Sequence, residues 1–186
     1  MKNALFFGDS LTAGYGMGDA ATESFPALIQ QKINAEKLEY NDINGGLSGD
    51  TSAGGLRRID YWLSNPVSVF ILELGINDMM RRVSPQTTLT NLQAIINKVK
   101  QTHPQAKIAL MGMELPALIP GKAAQQFGKH FRDLANFNQL TLVPFFLEGV
   151  AGRAHLNLPD RIHPSADGYK IIANHVWPVI RELFTS

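Results

Sequence analysis

Short apolar runs alternate along this chain with longer stretches in which apolar side chains return every three or four positions. Ala4 to Phe7, Tyr40 to Ile43, Val67 to Leu74, Lys107 to Met113 and Thr141 to Leu147 make the runs. Their length and their apolar character predict strands. Phe25, Leu28, Ile29 and Ile33 sit at helical spacing, as do Leu89, Leu92, Ile95, Ile96 and Val99. Phe127, Phe131, Leu134 and Phe137 repeat the pattern, and Tyr169, Ile172, Ala173, Val176 and Ile180 close the chain with it. Several of the runs show no polar alternation, which suits a parallel sheet covered on both faces. The expectation is an α/β fold, a three-layer sandwich around a five-stranded parallel sheet.

No internal repeat, low-complexity tract or Pro/Gly/Ser-rich linker divides the 186 residues, so a single domain over 1–186 is expected. Two segments are looser: Leu115 to Lys122, with Pro116, Pro120 and Gly121, and Glu148 to Pro159, with Gly149 and Gly152. Both follow predicted strands. Ligands of open α/β sheets bind beyond the carboxyl ends of the strands, which places these loops around a substrate site.

Composition narrows the chemistry. Apolar residues make 45% of the chain and its formal net charge is +1, with both signs interspersed, so no basic stripe suits a nucleic-acid backbone. Cysteine is absent, which removes disulfides, thiolate metal ligands and a cysteine nucleophile. Any nucleophile is an oxygen or a nitrogen. The start, Met1 to Phe7, has an apolar run too short for a secretory leader, and no run reaches the length of a membrane-spanning helix. A soluble protein without an export signal in this chain is expected, cytoplasmic as it stands or exported from a longer precursor. The sequence sets no oligomeric state.

The first predicted strand runs into Gly8-Asp9-Ser10-Leu11-Thr12-Ala13-Gly14. A serine there stands where a nucleophile would, with glycine allowing a tight turn and a following helix directing amide N–H groups at developing negative charge. It could equally cap a helix. A phosphate-cradling loop is the other alternative, but no Gly-Lys-Ser/Thr follows and the glycines miss the dinucleotide spacing. A flavodoxin-like nucleotide- or flavin-binding module stays open on this segment alone.

Near the other end lies Asp160-Arg161-Ile162-His163-Pro164. A serine hydroxyl needs a base to take its proton, and an imidazole needs a carboxylate to fix its tautomer. Asp160 and His163, three residues apart, can meet across one turn, which a surface ion pair would also explain; paired with Ser10 they gain a catalytic meaning. His155 lies in the second loose segment and is the rival base; His103, His130 and His175 belong to helices or their ends. No His-x-x-x-His or carboxylate cluster suggests a metal site. Ser48-Gly49-Asp50-Thr51 and Gly75-Ile76-Asn77-Asp78 each follow a predicted strand. Gly49 can offer an unhindered backbone N–H and Asn77 a side-chain amide to an oxyanion, although a turn at Asn77 and a helix start capped by Asp50 would also account for them. Glu73 is a carboxylate near the end of an apolar strand, expected to be tied to an arginine or a hydroxyl, with contact to the site as the lesser alternative.

Gly8-Asp9-Ser10-Leu11, Gly49, Gly75-Ile76-Asn77-Asp78 and Asp160-Arg161-Ile162-His163, in this order and over almost the whole chain, resemble the four sequence blocks of the GDSL, or SGNH, hydrolase family. Phe7 to Tyr15, Ser48 to Ser52, Glu73 to Asp78 and Val143 to Leu147 further resemble its bacterial branch of thioesterases, lysophospholipases and arylesterases. Ile76 stands where that branch usually has glycine, and the Glu148 to Leu158 segment differs. The resemblance implies a flavodoxin-like strand order 2-1-3-4-5, a nucleophile in Ser10, a base in His163 and an orienting Asp160. It also implies an oxyanion hole from Gly49, Asn77 and the Ser10 N–H. No cofactor or metal is then expected. The apolar loop of Leu115, Pro116, Leu118 and Ile119 suits an acyl or aryl group better than a sugar. The expected partner is thus a small acyl or aryl ester, with thioesters and lysophospholipids as further substrates. A carbohydrate O-acetylesterase of the same family is the alternative.

Overall fold

The computed structural model describes residues 1–113 and 122–185. Its centre is a parallel sheet of β1 (Lys2–Gly8), β2 (Tyr40–Gly46), β3 (Val69–Glu73), β4 (Lys107–Met111) and β5 (Thr141–Val143), in the order β2-β1-β3-β4-β5. The helices are α1 (Ser10–Ala13), α2 (Ala20–Glu23), α3 (Phe25–Ala35), α4 (Ser52–Leu63), α5 (Ile76–Met80), α6 (Pro85–Thr102), α7 (Lys122–Asn138) and α8 (Ala166–Ile180).

The two-residue period of the strands builds two cores at once. Ala4 and Phe6 of β1, Val69 and Ile71 of β3, and Ala109 and Met111 of β4 face one side. There they meet Phe25, Ile29 and Ile33 of α3 and Tyr169, Ile172 and Val176 of α8. Leu5, Phe7, Phe70, Leu72, Ile108 and Leu110 face the other, against Ile59 of α4, Leu92, Ile95, Ile96 and Val99 of α6, and Phe127, Phe131 and Leu134 of α7. This is the expected three-layer α/β sandwich. Each fully buried large apolar side chain contributes about 1.5–3 kcal/mol, so the runs that looked apolar throughout are the ones committed to both layers.

Local chemistry sets the ends of the elements. Ser24, Ser84 and Ser165 cap α3, α6 and α8 by accepting from the N–H groups of Ala27, Thr87 and Gly168. Pro26 and Pro85 occupy the first turns of α3 and α6, where a missing N–H is harmless. The strands differ at their ends from the apolar runs. β5 stops at Val143 because Pro144 has no N–H for the ladder. β4 stops at Met111, and Met113 instead forms an isolated antiparallel bridge with Phe145. β3 covers Val69–Glu73 within the run from Val67 to Leu74. β2 continues past Ile43 to Gly46, where it pairs with Gly8.

The carboxyl ends of β1, β2 and β3 therefore meet at Gly8, Gly46 and Glu73. Arg58 of α4 locks this junction: Nη2 donates to the Gly8 carbonyl (2.8 Å), Nη1 to the Gly45 carbonyl (2.7 Å) and Nε to Asp50 (2.7 Å). Its guanidinium also lies 4.0 Å from the centre of the Phe7 ring. Asp50 thus pairs with Arg58, and Thr51, not Asp50, caps α4. Asp50 is only 7% exposed at its side chain. Arg58→Met leaves that buried carboxylate without its cation and removes one hydrogen bond from each of the Gly8 and Gly45 carbonyls, and is expected to cost about 3–5 kcal/mol in urea unfolding.

Candidate active site

Ser10 is the first residue of α1, directly after the turn from β1. Asp9 caps the helix by accepting from Leu11 N–H at 3.0 Å. The turn requires glycine at position 8, where a Cβ would sit 2.5 Å from the Glu73 carbonyl oxygen and 2.6 Å from its carboxyl Oε2. As the first helical residue, Ser10 presents a backbone N–H of the kind a helix start leaves without a carbonyl partner.

The Ser10 hydroxyl meets a histidine 153 positions away, with His163 Nε2 2.9 Å from Ser10 Oγ. The opposite ring nitrogen, Nδ1, lies 2.7 Å from Asp160 Oδ2. Asp160 Oδ1 accepts from the N–H groups of Ile162 (2.9 Å) and His163 (3.0 Å). Arg161 takes a left-handed backbone (φ 60°) to close this turn. Two bonds brace it: Leu158 N–H donates to the His163 carbonyl and Arg161 N–H to the Leu158 carbonyl, both at 2.8 Å. The bond from His163, with the two amides, holds the Asp160 carboxyl down at about 2, well under its ordinary value. An ionised Asp160 accepts the Nδ1 hydrogen, which leaves Nε2 as the acceptor facing the Ser10 hydroxyl. The Tyr15 ring packs against His163 at a tilt of 42°, with centroids 4.5 Å apart. His155 lies exposed in a short 3-10 helix, Ala154–Leu156; the histidine that bonds Ser10 is His163.

The two segments singled out as oxyanion donors flank this group. Gly49 takes a positive φ (78°) in the loop from β2 to α4, and its carbonyl accepts from Arg81 Nη2 at 2.8 Å. That loop is also tied to β1, through Leu47 N–H and the Gly8 carbonyl. Asn77 lies in the first turn of α5, and its Nδ2 donates to Asp9 Oδ2 at 2.9 Å. Asp78, beside it, accepts from Ser52 N–H (2.8 Å) and the Ser52 hydroxyl (2.5 Å) and so fastens α5 to α4. Glu73 has the hydroxyl partner its position called for, Thr12 Oγ1 at 2.8 Å.

Leu11, Ile76, Met111, Met113, Phe145, Phe146 and Leu147, with Glu73, line a small cavity of about 30 Å³ whose walls include the chain neighbours of Ser10 and Asn77. A groove of about 530 Å³ between α6 and α7 is larger but contains none of Ser10, Asp160 and His163. Leu115, Pro116, Leu118 and Ile119, expected to bind substrate, lie outside the described residues. Among the described residues no group of three or more His, Cys, Asp or Glu could hold a metal ion, and no helix is long and apolar enough to cross a membrane.

Sequence reasoning assigned no role to Asp9, Tyr15, Arg58 or Arg81. Their contacts cross from one element to another, as from Arg81 to Gly49 and from Tyr15 to His163, and no local spacing signals them.

Residues 6–171 match the model of the GDSL-like Lipase/Acylhydrolase family. The chain is 33% identical over 183 residues to "Esterase TesA" of Pseudomonas aeruginosa, covering 98% of this chain and 89% of that protein. It is 35% identical over 171 residues to "Thioesterase 1/protease 1/lysophospholipase L1" of Escherichia coli K12, covering 91% and 79%. Among solved structures, the psychrotrophic esterase EstA from Pseudoalteromonas sp., described as inhibited by monoethylphosphonate, superposes with a TM-score of 0.87 at 29% identity over the full length of both chains.

Proposed function

This chain belongs to the GDSL-like lipase/acylhydrolase family and is a serine hydrolase acting on ester bonds; within it we propose Ser10 as nucleophile, His163 as general base and acid, and Asp160 as the carboxylate that orients it. The observation that carries this assignment is the continuous relay from Asp160 to His163 (2.7 Å) and from His163 to Ser10 (2.9 Å).

His163 Nε2 takes the Ser10 proton while Oγ bonds to the substrate carbonyl carbon, and the carbonyl electron pair moves onto oxygen. The Gly49 N–H, the Asn77 amide and the Ser10 N–H hold that oxyanion. Collapse of the tetrahedral intermediate breaks the bond to the leaving alcohol or thiol, which receives the proton from His163. Water then gives a proton to His163, attacks the acyl-enzyme and releases the carboxylic acid and free Ser10. Asp160 stays ionised throughout and stabilises the imidazolium.

Acyl or aryl esters with small apolar acyl groups are the substrates the site favours. Leu11 and Ile76, the chain neighbours of Ser10 and Asn77, share an apolar lining with Met113 and Phe145, which offers carbon and not hydrogen bonds on that side of the site. Thioesters and lysophospholipids fit the same chemistry, and the named activities of the Escherichia coli relative support including them.

Intact-mass analysis after exposure to a fluorophosphonate tests the nucleophile. One adduct on the folded protein, absent from Ser10→Ala, is the expected result; no adduct, or one that survives in Ser10→Ala, removes Ser10 from its role.

A further inference from the structure

Glu73 is a buried carboxyl group to which the catalytic cycle gives no task. It is 5% exposed and Asp9, beside it, is 0% exposed. The two carboxyl groups lie within hydrogen-bonding reach of each other. Glu73 Oε2 accepts twice, from Thr12 Oγ1 at 2.8 Å and from Asp9 N–H at 3.3 Å. Asp9 spends Oδ1 on Leu11 N–H and Oδ2 on the Asn77 amide at 2.9 Å. Two carboxylates this close in a buried site cannot both be ionised.

We propose that Glu73 is a positioning residue of the oxyanion hole: it keeps its proton, donates it as a hydrogen bond to the Asp9 carboxylate, and so fixes the Asn77 amide on which Asp9 accepts. One Asn77 hydrogen is spent on Asp9, and the amide's fixed plane turns the other toward the substrate oxygen. This rests on the reading of Asn77 as an oxyanion donor.

The division of roles follows from the partners. Asp9 accepts from two N–H groups, which favours the ionised form, whereas both acceptor contacts of Glu73 fall on Oε2 and leave Oε1 to carry the proton. Burial pushes Asp9 up from its ordinary value, opposed by the bonds from Leu11 and Asn77 and by His163 nearby. Burial pushes Glu73 well above its ordinary value, reinforced by the charge of Asp9. The buried Tyr169 hydroxyl of α8 is raised as well, first by burial and then by these two carboxyls. Gly8 belongs to the same device, because the Glu73 carboxyl occupies the place of a side chain there.

Steady-state kinetics on p-nitrophenyl butyrate test the proposal with Glu73→Leu, Glu73→Gln and Asp9→Asn, each made alone and with Asn77→Ala. Glu73→Leu is expected to lower kcat about 10- to 100-fold with KM changed less than about threefold, as loss of transition-state interaction requires. Glu73→Gln, whose amide donates to Asp9 and whose carbonyl accepts from Thr12, recovers most of that loss. In the Asn77→Ala background Glu73→Leu costs less than about threefold further, since its effect has already been removed. Equal costs in the two backgrounds overturn the proposal, as does a Gln variant no better than Leu. If Glu73→Leu does not fold, Glu73→Met, of similar length and without a proton to donate, carries the same cycle with the same two outcomes; additivity of Asp9→Asn with Asn77→Ala overturns the proposal as well. Ser10→Ala run in parallel separates the failures: activity surviving there overturns the assigned nucleophile, while its loss alongside additive effects overturns only the role of Glu73.

Discussion

Ser10→Ala is expected to lower kcat by a factor on the order of 10⁵–10⁶ while leaving the fold and its stability essentially unchanged. The loss is large because the acyl-enzyme route ends with Oγ: His163 Nε2, 2.9 Å away, then has no nucleophile to deprotonate. Some rate above water survives, about 10³- to 10⁴-fold, because the oxyanion donors and the bound geometry still act. The stability cost is small for a physical reason. Removing Oγ leaves His163 Nε2 without its partner, but the His163 side chain is 17% exposed and can turn to water. Stopped assays at high enzyme concentration, paired with thermal melts, check both halves. Turnover within about tenfold of wild type would mean that another group carries the reaction.

The sheet was legible in the sequence because both of its faces are buried, so β1, β3 and β4 wrote themselves as apolar runs at Ala4–Phe7, Val67–Leu74 and Lys107–Met113. Their ends were less legible, since what stops them is hydrogen-bond geometry. Pro144 cuts β5 at Val143 inside a run that stays apolar through Leu147, and Gly112 separates β4 from the bridge at Met113. β2 showed the opposite error: its carboxyl half, Asn44-Gly45-Gly46, is neither apolar nor β-branched and is a strand because β1 pairs with it. At the site, Ser10, Asp160 and His163 stood out as candidates by residue type and position, with a helix cap, a surface ion pair and His155 as alternatives, and it was the resemblance of the four sequence blocks that implied their roles. Arg58 and Arg81 did not stand out. An arginine in a helix, as Arg58, or at a helix end, as Arg81, reads as a solvated charge until folding brings the Gly8, Gly45 and Gly49 carbonyls to it. Asp9 was visible in the motif, but its bond to Asn77 joins positions 68 apart. The framework around the site thus depends on contacts that only the sheet order creates, whereas the proposed reacting groups lie in short motifs that can be seen along the chain.

Asp160→Asn is expected to lower kcat about 10³- to 10⁴-fold, with KM nearly unchanged. The carboxylate performs two tasks with separate oxygens: Oδ1 accepts from the Ile162 and His163 amides, and Oδ2 from His163 Nδ1. An asparagine has one acceptor and one donor at the same positions. If its oxygen keeps the two backbone amides, its NH₂ faces Nδ1, and the imidazole must carry its hydrogen on Nε2 instead. That hydrogen then points at Ser10, and the base becomes a donor to the group it should deprotonate. Asp160 is 38% exposed at its side chain, so water can partly substitute for it, which argues for the lower end of the range. Acid titration supplies an independent check. The carboxyl of Asp160 is held at about 2 in the folded protein against 3.8 for the free group, so the unfolded chain binds its proton first. Its contribution to stability is complete above about 4 and is lost as the pH falls toward about 2. The wild type should therefore lose its advantage over Asp160→Asn across that window in urea unfolding. A difference that stays constant from neutral pH down to about 2 would show that Asp160 is not held as an ionised partner of His163, and that the kinetic loss has another origin.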